Sequence, residues 1–167
     1  SLADRFALVF DGVESDAIRG NYEKVLGDRL EDARFFIEQD GRRSLSAFGS
    51  ALERVSHHPR WGTVADRVAR LTRVFDGAGE SLLPDAADAA AAREAIGLCK
   101  NDLATLMVAE FPDLQGVIGR IYALRDGVDP AVAAIVEQHY WPRFPGDRVP
   151  ESAAGAAVSL MDRMETL

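Results

Sequence analysis

One cysteine, Cys99, is present in 167 residues. A disulfide framework within the chain is therefore excluded. So sparse a thiol content fits a reducing compartment, and a cytoplasmic location is expected. No apolar run is long enough to cross a bilayer, so no membrane partner is expected. The start, Ser1-Leu2-Ala3-Asp4-Arg5, lacks the charged-then-apolar order of a signal peptide. Basic residues are outnumbered, 19 against 27 acidic ones, for a net charge of −8. Such a chain repels phosphate as a whole, so any contact with nucleic acid has to come from a local basic patch. There is no glycine-rich phosphate loop, no G-x-S-x-G and no H-E-x-x-H. Apolar residues, by contrast, are plentiful at 47%, enough for a real core and too many for a disordered chain.

The apolar residues recur at helical spacing along nearly the whole chain. Residues 5–10 are the exception, being short, aromatic and without a helical period, which predicts a strand. A lone strand cannot pair with itself, so residues 1–13 read as the tail of a preceding β-containing domain. From Ser15, Ile18, Tyr22, Val25, Leu26, Leu30, Ala33 and Phe36 form one stripe. That helix should stop near Asp40-Gly41. A second helix is predicted over 44–55, broken by His57-His58-Pro59-Arg60-Trp61-Gly62. A third begins at Thr63, buries Val64, Val68, Leu71 and Phe75, carries Arg67, Arg70 and Arg73 on its other side, and ends at Gly77 and Gly79. Residues 85–110 read as one strongly helical segment, and Phe111-Pro112 interrupts it. A further helix follows with Gly116 and Gly119 inside it. Asp129-Pro130 caps the next. The three prolines of 141–150 make a structured loop, and a last helix runs from about Pro150 to Leu167, where the absence of a cap reads as truncation. The fold class predicted is an all-α bundle of about seven helices over 14–167, with a short strand remnant at the front.

Few residues in this pattern suggest chemistry. His57 and His58 are adjacent and precede a proline, poor geometry for two metal ligands on one face. Cys99 lies on an apolar stripe, where a small core residue is the usual occupant. Asp102 falls on the line Ala95, Leu98, Asp102, Leu106, which places a carboxylate in or beside an apolar face. A charge there is costly unless paired. An inter-helix salt bridge or a capping contact would satisfy it; so would a metal site, with Asp162 of the last helix as a second carboxylate. Arginines come in small sets. Arg42 and Arg43 share a turn, Arg60 precedes the third helix, and Arg143 lies between Trp141-Pro142 and Phe144-Pro145. Loop arginines beside aromatics combine stacking with forked donors, which suits phosphates and bases.

Several runs occur together in a fixed order. Gly20-Asn21-Tyr22-Glu23-Lys24-Val25-Leu26 and Arg29-Leu30-Glu31-Asp32-Ala33-Arg34-Phe35-Phe36 come first. Cys99-Lys100-Asn101-Asp102-Leu103 follows, then Val108-Ala109-Glu110-Phe111-Pro112-Asp113-Leu114-Gln115-Gly116-Val117-Ile118-Gly119. Glu137-Gln138-His139-Tyr140-Trp141-Pro142-Arg143-Phe144-Pro145-Gly146-Asp147 and Met161-Asp162-Arg163-Met164-Glu165-Thr166-Leu167 close the series. This series resembles the G-N-E-R-V-L…R-L-x-D-A-R-F-F, C/K-x-D-L, V-x-E-F-x-x-L-Q-G-x-M-G, E-x-Y-x-P-R-F-A-G-D and A-D-K-x-D-T-L segments of bacterial glycyl-tRNA synthetase beta subunits. The matches run in the family's order from Gly20 almost to the end.

The resemblance implies an internal piece of a longer chain, containing that family's helical HD-like domain. It implies a division of labour in which an alpha subunit activates glycine with ATP and magnesium while the beta subunit supplies most contacts to tRNA(Gly). No cofactor is then expected in this domain, and the partners expected are the alpha subunit, tRNA(Gly) and the remaining beta-subunit domains. Metal-dependent HD domains use an H…HD…D ligand set. Here Val64 stands for the first histidine and Asn101 for the histidine of the HD pair, so only Asp102 and Asp162 remain. Two carboxylates without imidazoles hold a hard cation weakly at most. A tRNA-holding domain using Arg42, Arg43, Arg60 and Arg143 is the leading reading. A metal-dependent phosphohydrolase and a packing module that only joins domains are the alternatives.

Overall fold

The computed structural model describes residues 5–13 and 15–165. The chain forms two compact units, Ser1–Phe35 and Phe36–Leu167. In the first, residues 5–10 have no regular backbone pairing, so the strand expected there is not formed. The helix α1, Asp16–Asp40, begins where the sequence places it, with Ser15 Oγ accepting from Ile18 N, and its last five residues belong to the second unit. Its apolar stripe is open to solvent: Tyr22, Val25, Leu26 and Leu30 are all exposed.

The second unit is helical, apart from one small hairpin. A 3-10 helix over Ser46–Arg54 replaces the α-helix expected there. Residues 57–62 do break it, but not as plain loop. The strands β1, Ser56–His58, and β2, Gly62–Thr63, pair antiparallel. Then α2 spans Val64–Leu82, opened by a reciprocal cap in which Thr63 N donates to Asp66 Oδ2 and Asp66 N to Thr63 Oγ1. It runs through Gly77 and Gly79 instead of ending there; two glycines weaken a helix without stopping it when one side packs on a core.

The segment 85–110 is not one helix. Asp85 caps α3, Ala86–Leu98, by accepting from Ala87 N and Asp88 N. The chain then turns at Lys100, whose φ is +70°, into a 3-10 turn at Asn101–Ala104. Thr105 caps the short helix α4, Leu106–Glu110. After Pro112–Leu114, another 3-10 turn, Gly116 takes a φ of +81° as the residue before α5, Val117–Arg125, not a residue within it. A positive φ favours glycine, and a Cβ at Gly116 would lie 2.7 Å from the Tyr140 ring.

Asp129 caps α6, Pro130–Gln138, as the Asp-Pro pair predicts. Ser152 caps α7, Ala153–Met164. Residues 166 and 167, where the sequence suggests an uncapped end, lie outside the described residues. The seven α-helices described match the predicted all-α bundle. Its core is built from Leu71 and Phe75 of α2, Ala92, Ala95 and Ile96 of α3, Val132, Ile135 and Val136 of α6, and Ala157, Val158 and Met161 of α7, with Cys99 sealed among them. No helix is long and apolar enough to cross a membrane among the described residues.

Candidate functional site: a buried ion cluster beneath a polar cleft

The break in the chain after α3 places a lysine in the interior. Lys100 is 3% exposed and Asp162 of α7 is 5% exposed. Lys100 Nζ lies 2.8 Å from Asp162 Oδ2 and 3.1 Å from His139 Nε2, and 4.2 Å from the centre of the Tyr140 ring. His139 Nδ1 lies 2.7 Å from the Val136 carbonyl oxygen. A carbonyl only accepts, so Nδ1 carries the proton and Nε2 accepts from the ammonium. Burial, then the neighbouring Lys100 charge, pushes the His139 pKa well below the usual imidazole value. Neutral histidine and charged lysine are thus mutually consistent.

Asp162 takes a second cation. Arg67 Nη2 is 3.2 Å from Asp162 Oδ1, and Arg67 Nε is 3.2 Å from Glu165 Oε2, while Arg70 Nε pairs with Glu165 Oε1. Arg67 and Arg70 therefore face α7, while Asp66 of the same helix serves the Thr63 cap. Burial alone would raise the Asp162 carboxyl, but the Lys100 ammonium, with Arg67 beside it, outweighs this and holds the carboxyl below its ordinary value. The Lys100 ammonium goes the other way: burial lowers its pKa and Asp162 counters only in part.

Of the four positions matched to the H…HD…D pattern, Val64 and Asp162 line one cleft, and Asn101 and Asp102 follow Lys100 in its 3-10 turn. Val64 lines the same cleft as Lys100 and Asp162. Asn101 is buried, its amide 3.4 Å from the Gly97 carbonyl oxygen. Asp102 is 1% exposed and Oδ2 accepts from Gly116 N at 2.6 Å. Burial raises the Asp102 carboxyl, the Gly116 bond opposing it. Among the described residues no group of three or more His, Cys, Asp or Glu could hold a metal ion. The chemistry of the donors says the same of this spot: a lysine ammonium already fills the space between Asp162 and His139.

The floor of the site is fixed from below by a residue that the sequence reading passed over. Arg163 Nη1 donates to Ser159 O at 2.8 Å and Nη2 to Pro142 O at 2.8 Å, while Ser159 Oγ donates to Trp141 O at 2.6 Å. These bonds hold the 139–142 turn, and with it His139 and Tyr140. Nothing in local sequence marks Lys100 as buried or Arg163 as a partner of the 139–142 turn; each is recognisable only once α7 is laid against the rest.

Above the cluster lies a cleft of about 400 Å³, lined among others by His57, Arg67, Lys100, Gln115, Tyr140 and Asp162. Arg143 sits beside it, donating from Nη2 to Gln115 O at 3.3 Å. Arg60 is in the β1–β2 turn, next to Trp61, whose ring lies 4.5 Å from that of His58. Arg42 and Arg43 are elsewhere: Arg43 Nη2 donates to Ala47 O, its guanidinium lies over Phe48, and its carbonyl accepts from Arg125. The arginine that stacks in the 141–150 loop is Arg148, 3.5 Å above Trp141 and bonded to Glu137.

Known proteins of the same sequence type share this whole segment. The model of the glycyl-tRNA synthetase beta subunit family matches residues 1–167. The chain belongs to that family. The glycine–tRNA ligase beta subunit of Neisseria gonorrhoeae is 46% identical over 169 residues, covering 99% of this chain and 24% of the relative. Those of Janthinobacterium sp. and Thiobacillus denitrificans are 41% and 43% identical over 168 residues, with the same coverage. The chain thus spans about a quarter of the length of the curated relatives it matches.

Proposed function

We propose that this chain is a tRNA-binding and structural domain of a glycine–tRNA ligase, HD-like in architecture, that supports glycylation of tRNA(Gly) catalysed on the alpha subunit. ATP with magnesium is used there, this domain holds no cofactor of its own, and the assembly works in the cytoplasm beside the remaining beta-subunit domains. The observation that supports tRNA contact is the state of the arginines. Arg42, Arg43, Arg60 and Arg143 are exposed, and none forms an ion pair among the described residues. Arg67, Arg70, Arg120 and Arg148 are each committed to a carboxylate. In a chain of net charge −8, the loop arginines are among the cations left to meet phosphate, where they would set register instead of reading sequence.

The Lys100–Asp162 pair supports loss of hydrolase chemistry from the scaffold, because the carboxylate that would hold a metal already holds an ammonium. In the assembled alpha–beta ligase, Arg143→Ala and Arg42→Ala are expected to weaken tRNA(Gly) binding, most at low salt, each lowering the salt slope by about one. Unchanged affinity and aminoacylation in both variants would remove these arginines from the interface. The packing-module reading is favoured by a different observation, the open stripe of Tyr22, Val25, Leu26 and Leu30. It expects Leu26→Asp to disrupt subunit assembly while the arginine variants stay silent.

A further inference from the structure

The cleft above the ion cluster carries two polar atoms that the protein itself leaves unsatisfied. His57 Nε2 and Tyr140 Oη are buried atoms on its lining without a hydrogen-bond partner; the Gln115 amide approaches Tyr140 without closing a bond at normal geometry. A buried polar group left without a partner is costly, and two in one cavity point to something that enters it. The sign of the surroundings says what. On the lining itself stand two cations, Arg67 and Lys100, against one carboxylate, Asp162. One positive charge is in excess on that lining, with the Asp102 carboxyl behind Tyr140. His57 feels it: burial first, then Arg67, lowers its pKa. No helix end or glycine loop is involved; the donors are side chains.

We propose that this cleft binds a terminal phosphate group, with His57 Nε2 and Tyr140 Oη as its direct hydrogen-bond partners and the Arg67–Lys100 side as its source of positive field. The inner end is blocked by the Lys100–Asp162 pair, which suits the end of a ligand better than the interior of a chain. The shared chemistry is a phosphomonoester, carried either by a free mononucleotide or by the 5′ end of an RNA. Arg42 lies elsewhere, while Arg143 borders this cleft and Arg60 shares a hairpin with His57, so the His57 and Tyr140 variants, not the arginine ones, isolate this site.

The test uses this chain with 15N-labelled histidine, titrated with inorganic phosphate, AMP and adenosine, and followed by calorimetry and the His57 ring resonances. AMP and phosphate are expected to bind and to shift the His57 Nε2 signal, and adenosine to do neither. Tyr140→Phe and His57→Ala should each weaken AMP binding about 10–100-fold, the loss of roughly one hydrogen bond to a charged group, with melting curves confirming that each is folded. His57→Ala, on a hairpin outside the core, decides the matter if Tyr140→Phe fails to fold. Tighter binding of a 5′-phosphorylated trinucleotide than of AMP, and none of its 5′-hydroxyl form, identifies an RNA end; preference for AMP identifies a free nucleotide. Adenosine binding as well as AMP overturns the proposal. So does an unmoved His57 resonance at saturating phosphate, or wild-type AMP affinity in folded His57→Ala.

Discussion

Lys100 Nζ lies 2.8 Å from Asp162 Oδ2, although 62 positions separate the two residues and both are almost fully buried. The pair ties the turn after α3 to α7. Removing one member of a buried pair leaves the other charge in a poor solvent, which costs about 3–5 kcal/mol. Lys100→Met is expected near the lower end, because Arg67 still faces Asp162. The double variant Lys100→Met, Asp162→Asn should recover much of the loss, since the orphaned charge goes with its partner. Urea denaturation of the two single variants and the double closes the cycle; additive losses would show that the pair is not coupled.

Asp102 makes the opposite case, a carboxylate that gains nothing from ionising. Its carboxyl is raised by burial, so the folded state holds its proton to higher pH than the unfolded chain does. A folded pKa above the unfolded one gives a contribution that is complete at low pH and is lost as pH rises through the folded value. Asp102→Asn keeps an oxygen for Gly116 N and removes the charge. Relative to the parent, the variant should therefore be of similar stability near pH 4 and more stable at pH 7.5. Denaturation midpoints at the two pH values measure it, and a variant that loses stability at the higher pH would show that the ionised form is the one the fold favours.

These two residues also show where the sequence is legible and where it is not. Both ends of α1 and the start of α6 are local events, marked by Ser15, Gly41 and the Asp129-Pro130 pair, and they appear where local chemistry puts them. Asp102 could be singled out because a carboxylate on an apolar line is conspicuous. Lys100 could not, since nothing within ten residues explains burying it. Propensity read 85–110 as one helix; the turn at Lys100 wins because it delivers the ammonium to Asp162 and Asp102 to Gly116, two bonds made across the fold. The same holds for Arg67 and Arg70. Spacing placed them away from the core stripe, but their guanidinium groups reach acids on α7 that only tertiary packing brings close. At the front, the apolar residues of 5–10 satisfied a strand pattern with no strand to pair with.

Arg163 offers a test of how the floor of the cleft is held. Its guanidinium bonds to Ser159 and to the Pro142 carbonyl, and Ser159 in turn bonds to the Trp141 carbonyl. A hydrogen bond to a charged group contributes about 1.5–3 kcal/mol. Arg163→Ala removes several at once but also lets water reach the exposed Pro142 end, so a net loss of about 2–3 kcal/mol is expected. Arg163→Lys should recover little, because an ammonium cannot span both carbonyl groups as the planar fork does. Thermal melts give the magnitude, and the emission of buried Trp141 reports the turn. A lysine variant as stable as the parent would mean that charge, not the fork, is what matters.

Two glycines of α2, two residues apart, should respond to alanine in opposite directions. A Cβ at Gly77 would meet nothing within 4 Å, while one at Gly79 would lie 2.8 Å from the Phe75 ring. Phe75 is a core residue, 3% exposed, and its ring cannot move aside without disturbing Leu71 and Leu83 around it. Gly77→Ala restricts the unfolded chain and adds a good helix former at no steric cost, so it should stabilise by about 0.5–1 kcal/mol. Gly79→Ala gains the same propensity but overpacks the core, which typically costs about 1–3 kcal/mol, so its net effect should be destabilising. Comparing the denaturation midpoints of the two variants separates propensity from packing, since the first contribution is common to both. If both alanines stabilised the chain, the contact between Gly79 and the Phe75 ring would not be the constraint that keeps α2 in place.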